Sequence, residues 1–196
     1  MSLLFESIEI INGDCPLLSL HTDRCNKSRK ELFGVDDEID LQEYLPENLP
    51  ENGKWKCRIT YDRKIRNTDL TEYRLKSIKS FKIIEADKID YAYKYADRSE
   101  LDSLFDNCDA DEVIIIKQGL ITDTSFSNLA FYDGASWITP EMPLLNGVRR
   151  RDLLEKGLIE PGNIHPFSLE QYSKIALINA LNDLGEATYP IESIIS

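Results

Sequence analysis

Histidine is nearly absent from this chain: there are two, His21 and His165, far apart in the sequence. The four cysteines, Cys15, Cys25, Cys57 and Cys108, are scattered, with no Cys-x-x-Cys pair among them. These shortages argue against a zinc site, which needs His or Cys ligands at close spacing. The expectation is free, largely buried thiols in a reducing compartment. Long apolar runs are missing as well. The longest, in "VIIIK" and "IALINAL", fall far short of a bilayer span. The start, "MSLLFESIEI", lacks the basic head, apolar stretch and small-residue cleavage site of a secretory signal. A cytoplasmic protein away from the membrane is expected. Positive charge is in deficit too. With 23 Lys and Arg against 35 Asp and Glu, the net charge is −12, which repels nucleic acid and anionic lipid at long range. Neither repeats nor low-complexity segments occur.

What is present suits a globular protein. At 42% hydrophobic and 30% charged over 196 residues, the chain can build one ordinary domain or two small lobes. Residues 3 to 20 read as a hairpin turning at Asn12-Gly13. "HTDRCNKSRKELFG" reads as a helix stopped by Gly34, and "DDEIDLQEYL" as a second, short one. From Lys54 to about Glu85, "KWKCRITYDR" and "TEYRLKSIKSFKII" alternate like two long antiparallel strands. Beyond Asp90, Asp97 and Glu100 are placed as the capping box of a helix carrying Leu101, Leu104, Phe105 and Cys108. "DEVIIIK", "GLITDT", "NLAFYD" and "ASWIT" read as four strands, the last two joined at Asp133-Gly134. A helix from about Val148 to Lys156 follows, ended by Gly157. A short one capped by Ser168 and Gln171 comes next, and "KIALINAL" and "ATYPIESII" close as strands. The chain therefore divides into two α/β lobes, 1–88 and 89–196, joined near residues 86 to 92, where a ligand cleft would be natural.

One concentration of positive charge stands out in this acidic chain. "MPLLNGVRRRDLL", residues 142 to 154, sets a glycine before three arginines at a helix start. It admits two readings, a solvated turn or a phosphate seat. In the second, unpartnered N–H groups and the helix dipole would face an anion, with glycine permitting close approach.

The segment "GLITDTSFSNLAFYDGASWITPEMPLLNGVRR" resembles the signature of the class IV aminotransferases, the fold-type IV pyridoxal-phosphate enzymes. These include branched-chain and D-amino-acid aminotransferases and aminodeoxychorismate lyase. Thr122, Asp123, Ser125, Asn128, Thr139, Pro140, Gly147, Val148 and Arg150 fall in the family order with near-family spacing. The likeness extends to "FESIEIINGDCPLLSLHTDRCNKSRKELF", with His21 and Arg24 in a His-x-x-Arg motif. It also takes in "YKYADR", where the family keeps its Schiff-base lysine, and "INALNDL", which is most similar to aminodeoxychorismate lyases. Some positions depart from the pattern. Asp123 stands for the usual Glu, Arg149 for a Thr and Ala130 for an aromatic. The likeness also begins directly at "LLFESIEI", without the segment that usually precedes this strand and helps wall the substrate pocket.

The resemblance implies a two-lobed α/β (α+β) fold of the D-amino-acid aminotransferase type, with pyridoxal 5'-phosphate in the cleft between lobes. It makes Lys94 the catalytic lysine, a role the bare pattern would not separate from that of a surface lysine; Lys88 and Lys82 are the alternatives. A helix start just after Lys94 would favour its uncharged amine. Asp123 would pair with the pyridine nitrogen and keep the ring an electron sink. The backbone N–H groups of Gly147, Val148 and Arg149 would cradle the phosphate, Leu145 would press on the ring, and Arg24 would fork the phosphate. Asn179 and Ala180 would complete the seat. His21 is expected to be structural, and Asn128 to satisfy backbone groups. Arg58 and Tyr61 are substrate-side candidates, while Trp55 and Trp137 are core or dimer contacts. The expected activity is aminodeoxychorismate lyase or amino-acid aminotransferase on a small amino substrate, by a homodimer without nucleic-acid partners. The lyase is slightly favoured. The competing reading is a relative that kept the fold and binds the cofactor without turnover.

Overall fold

The computed structural model describes residues 2–106 and 108–195, arranged as two compact units. The first unit holds the chain up to Arg74 together with Tyr93–Asp97. Its strands β1 (Leu4–Ile11), β2 (Lys54–Tyr61) and β3 (Ile65–Glu72) form an antiparallel sheet in the order β1-β2-β3. The helix α1 (Leu18–Phe33) carries Cys25 into the same core as Leu4, Ile8, Ile10, Cys57, Ile59 and Tyr61. Alternation puts these strand residues on one face, because successive side chains point to opposite sides of a strand. Gly34 ends α1 in the left-handed conformation, φ 63°, as its position predicts. The buried Arg29 of α1 ties down the loops beyond, donating to the Asp37 carbonyl at 2.6 Å and the Arg63 carbonyl at 2.9 Å.

The second unit comprises Leu75–Ala92 and the chain from Arg98 onward. In chain order it contains β4 (Phe81–Glu85), α2 (Ser99–Ser103), β5 (Glu112–Lys117), β6 (Leu120–Thr124), β7 (Asn128–Tyr132) and β8 (Trp137–Pro140). It continues with α3 (Val148–Glu155), β9 (Glu160–Gly162), β10 (Lys174–Ile178), β11 (Thr188–Pro190) and β12 (Ile194–Ile195). The sheet runs β11-β10-β7-β6-β5-β4-β12, with β8 and β9 attached beside β7. Its strands β5, β7 and β10 are mostly apolar and buried along nearly their whole length, which is why they read as apolar runs, whereas β6 between β5 and β7 is buried but carries Thr122, Asp123 and Thr124.

Several local expectations change, and "ATYPIESII" is one of them: a 3-10 turn over Ile191–Ser193 divides it into β11, beside β10, and β12, beside β4. "CPLLSL" does not return as a strand: after the Asn12-Gly13 turn only Ile11 and Asp14 bridge, and α1 starts at Leu18. Pro16 cannot donate to a ladder, and β1 pairs with β2 along all eight residues instead. "DDEIDLQEYL" forms only a 3-10 turn over Leu41–Tyr44, capped by Asp40. "TEYRLKSIKSFKII" is not one strand, since β3 ends at Glu72 and β4 begins at Phe81 in the other unit's sheet. Alternation reports a strand's faces, not which sheet it joins. The helix expected from Asp97 is shorter and starts later, at Ser99, with no side-chain cap; its expected span also includes residue 107, outside the described residues. Just ahead of this helix, Tyr95 and Ala96 bond the chain at the start of β1, through the Leu4–Tyr95 bridge and the Ala96 N–H donating to the Leu3 carbonyl at 2.8 Å.

Candidate functional site

In the second unit the candidate residues converge on the turn between β6 and β7. Thr124 and Ser127 close that turn, with the Thr124 N–H donating to the Ser127 carbonyl at 2.9 Å. Asp123 and Asn128 are thereby set opposite each other across the strand pair. The Asn128 amide donates to Asp123 Oδ1 at 2.8 Å and to the Leu145 carbonyl at 2.8 Å. The Leu145 N–H donates to Asp123 Oδ2 at 2.9 Å. Asp123 is buried, and burial pushes its carboxyl up to about 6 against the Leu145 and Asn128 hydrogen bonds and the Arg150 charge. It can therefore exchange a proton near neutral pH with a basic nitrogen.

Gly147 precedes α3 and lies against Asn128. A Cβ added at Gly147 would meet Asn128 Oδ1 at a distance no atoms can share. Only glycine fits, for close approach rather than for backbone strain. α3 starts at Val148 with no side-chain cap. The first N–H groups of α3, at Val148 and Arg149, are of the kind that can hold an anion, because they have no carbonyl partner within the helix. The side chain of Arg149, which stands for the family's Thr, does not run to solvent. It is buried, 3.3 Å from Asp183 and 3.7 Å from Asp152. Arg150 is buried as well, donating to the Pro140 carbonyl at 2.8 Å and to Thr139 at 3.1 Å, and so fastens α3 to β8.

Asn179 forms the turn after β10. Its side-chain oxygen accepts the Leu181 N–H at 2.8 Å and the Asn182 N–H at 3.1 Å, and its amide donates to Ser127 at 2.8 Å. Ala180 lies at the tip of that turn. Asp123, Asn128 and Leu145 are thus joined directly by hydrogen bonds, Gly147 lies against Asn128, and Asn179 reaches the same β6–β7 turn through Ser127, while Arg149 is paired separately with Asp183 and Asp152.

In the first unit, Lys94 is half-buried beside β1. Its carbonyl accepts the Phe5 N–H at 3.0 Å, and its amine lies 4.8 Å from the centre of the Phe5 ring. The guanidinium of Arg58 lies 3.7 Å from the centre of the same ring. Arg58 and Tyr61 do not share a face. Tyr61 pairs with Leu4, packs in the core, and is buried, which raises its phenol far above the usual range. Arg24 and His21 both point from α1 to the buried Glu6 of β1.

Several residues that hold this arrangement were not singled out from the sequence. Arg98 donates to the Ser125 carbonyl at 2.8 Å, and the buried Glu112 accepts the Ser125 N–H at 3.2 Å and Lys76 at 2.9 Å. Glu6 did carry a signal: it is a carboxylate among Leu4, Ile8 and Ile10 on the inward face of an alternating strand, which demands a buried partner. Asp183 carried none, because a charge in a polar turn looks like any solvated residue. Among the described residues no group of three or more His, Cys, Asp or Glu could hold a metal ion, and no helix is long and apolar enough to cross a membrane.

Comparison with known proteins adds four findings. Residues 3–188 match the model of the family described as amino-transferase class IV. A Haemophilus influenzae protein that carries no functional name is 36% identical over 185 residues, which cover 92% of this chain and 98% of that one. A Haemophilus somnus crystal structure, provisionally named a 4-amino-4-deoxychorismate lyase, is 35% identical, with a TM-score of 0.86 over 94% of this chain and 98% of that one. A Mesorhizobium loti structure, provisionally named an amino-acid aminotransferase, shares the fold at 18% identity, with a TM-score of 0.75 over 93% and 97% of the two chains.

Proposed function

The chain belongs to the amino-transferase class IV family, and from that membership we propose that it is a pyridoxal-phosphate enzyme acting on a small amino substrate. The reaction is either aminodeoxychorismate lysis, giving 4-aminobenzoate (a folate precursor) and pyruvate, or transfer of an amino group. We favour the lyase. The observation that carries this preference is the 35% identity, over nearly the whole of both chains, to the structure provisionally named for that activity.

The second unit's residues fit the cofactor: a buried carboxyl of suitable basicity, a glycine where no side chain is admitted, and a helix start without a side-chain cap. Bound pyridoxal phosphate supplies an electron sink for a substrate carbon that has lost a bond. Asp123 would hold the proton at the pyridine nitrogen, with Asn128 and the Leu145 N–H fixing its two oxygens. The N–H groups of Gly147, Val148 and Arg149 would take the phosphate, helped by the turn at Asn179 and Ala180, and Leu145 would lie on the ring. In the first unit, Arg24 would add a charged fork to the phosphate. The Lys94 amine would bond the cofactor aldehyde and later carry the substrate proton. Arg58 would receive a substrate carboxylate, a role for which Tyr61, turned into the core, is not placed. As part of the same proposal, the enzyme works as a homodimer in the cytoplasm.

The test is an absorbance spectrum after addition of pyridoxal phosphate and dialysis, followed by borohydride reduction and peptide mapping. A retained cofactor band, fixed to Lys94 on reduction, is expected. Release of 4-aminobenzoate from aminodeoxychorismate would then identify the lyase, and conversion of the band by amino-acid donors alone the transferase. No retained band and no modified lysine would overturn the proposal.

A further inference from the structure

Glu6 occupies the middle of the inward face of β1, fully buried and flanked by the apolar Leu4 and Ile8. Packing gives no reason for a carboxylate there, because an apolar side chain of similar volume would fill the place without desolvating a charge. Its oxygens accept from α1: Nδ1 of His21 at 2.6 Å, Nε of Arg24 at 2.9 Å and Nη2 of Arg24 at 2.5 Å. The Arg24 and His21 bonds hold its carboxyl down at about 2 in spite of burial, so it is an ionised acceptor. His21 Nδ1 therefore carries the hydrogen. Burial keeps that histidine below its ordinary value, and its Nε2 has no hydrogen-bond partner among the described residues. His21 thus spends its one donor on Glu6.

The grip on Arg24 is directional. Nε and Nη2 are the two donors along one edge of the guanidinium, and binding both fixes its plane and its heading. We propose that Glu6 is a positioning residue: steadied by His21, it fixes the Arg24 fork so that the opposite edge is presented to the phosphate of the cofactor. This inference rests on the reading of Arg24 as a phosphate ligand. Charge alone predicts the reverse of positioning. A carboxylate beside Arg24 weakens its pull on a phosphate, so neutralising Glu6 would tighten binding if orientation did not matter.

The experiment compares pyridoxal phosphate with pyridoxal, which has the same ring and aldehyde but no phosphate, by titrating each into the full-length protein. The ratio of the two dissociation constants isolates the phosphate contribution. Wild type is expected to prefer pyridoxal phosphate strongly. E6Q should lose roughly three- to tenfold of that preference, comparable to the ordering of one long side chain, with pyridoxal affinity unchanged. E6D, which keeps the charge but withdraws the acceptors by one methylene, should lose preference in the same direction and serves where E6Q does not fold.

An unchanged or increased preference in the folded variant would overturn the inference while leaving the cofactor reading intact. Equal weakening of both ligands, or failure of both variants to fold, would assign Glu6 to the core alone and also overturn it. A wild type that binds the two ligands equally would remove Arg24 as a phosphate ligand, and Glu6 with it. A wild type that binds neither would instead refute the proposed function.

Discussion

At the scale of single residues, two buried carboxyls sit on opposite sides of their ordinary range, and pH separates them. Asp123 is raised from 3.8 to about 6 by burial. The unfolded chain then releases this proton first as pH rises, so the folded state loses stability between about pH 4 and 6 and stays level above. Glu6 is lowered from 4.5 to about 2 by Arg24 and His21. Its contribution is full above its unfolded value and is lost as pH falls toward 2. Each effect is on the order of 3 kcal/mol at most. D123N sets an amide donor against one of the two N–H groups that Asp123 accepts, at a cost of about 1–3 kcal/mol that does not change with pH. Relative to the cofactor-free wild type it should therefore gain about 2–3 kcal/mol of stability between pH 4 and pH 8, because only the wild type must ionise the buried carboxyl. Thermal melts across that range check this, and a pH-independent difference would contradict the raised Asp123.

At the scale of elements, the second unit's candidate residues are held by the way β6, β7 and the start of α3 meet. Gly147 is the contact point, because its missing side chain leaves room for the Asn128 amide that bonds both Asp123 and Leu145. G147A would push Asn128 aside and leave a buried acceptor short of its donor. A loss of about 2–4 kcal/mol is expected, combining overpacking with the broken hydrogen bonds. Denaturant unfolding measures it. N128A, which makes the room, should recover part of the loss when combined with G147A, because the two side chains compete for one space. Additive losses would place the strain elsewhere.

At the scale of the whole molecule, a net charge of −12 makes the folded state repel itself in dilute buffer. Salt screens that repulsion, with a Debye length falling from about 30 Å at 0.01 M to about 8 Å at 0.15 M. The melting temperature should therefore rise with sodium chloride at pH 8. Near the isoelectric point of about 4.7 the dependence should vanish, since little net charge is left to screen. A salt response equal at both pH values would argue against self-repulsion as its origin.

Much of this protein was legible in its sequence. Periodicity located β5 to β8 and α3, because apolar runs bounded by turn residues allow few alternatives, and Gly34 and Gly157 marked where α1 and α3 stop. The order of Thr122, Asp123, Asn128, Gly147 and Arg150 disclosed the family, since chemistry that needs these types in this order leaves them at recognisable spacing. The sequence could not assign 65–85 to two different sheets, nor foresee that Tyr95 and Ala96, just ahead of the expected helix, would bond the chain at the start of β1. Backbone partners are a choice among distant segments, and local pattern is silent on it. The roles of Glu6 and Arg149 were hidden for the same reason: what a buried charge does is decided by the partner brought to it. His21 and Arg24 reach Glu6 from a neighbouring helix, and Asp183 reaches Arg149 from a turn 34 residues away. Residue types and their order came from the sequence alone. Which charges meet, and which way their side chains are aimed, only tertiary packing decided.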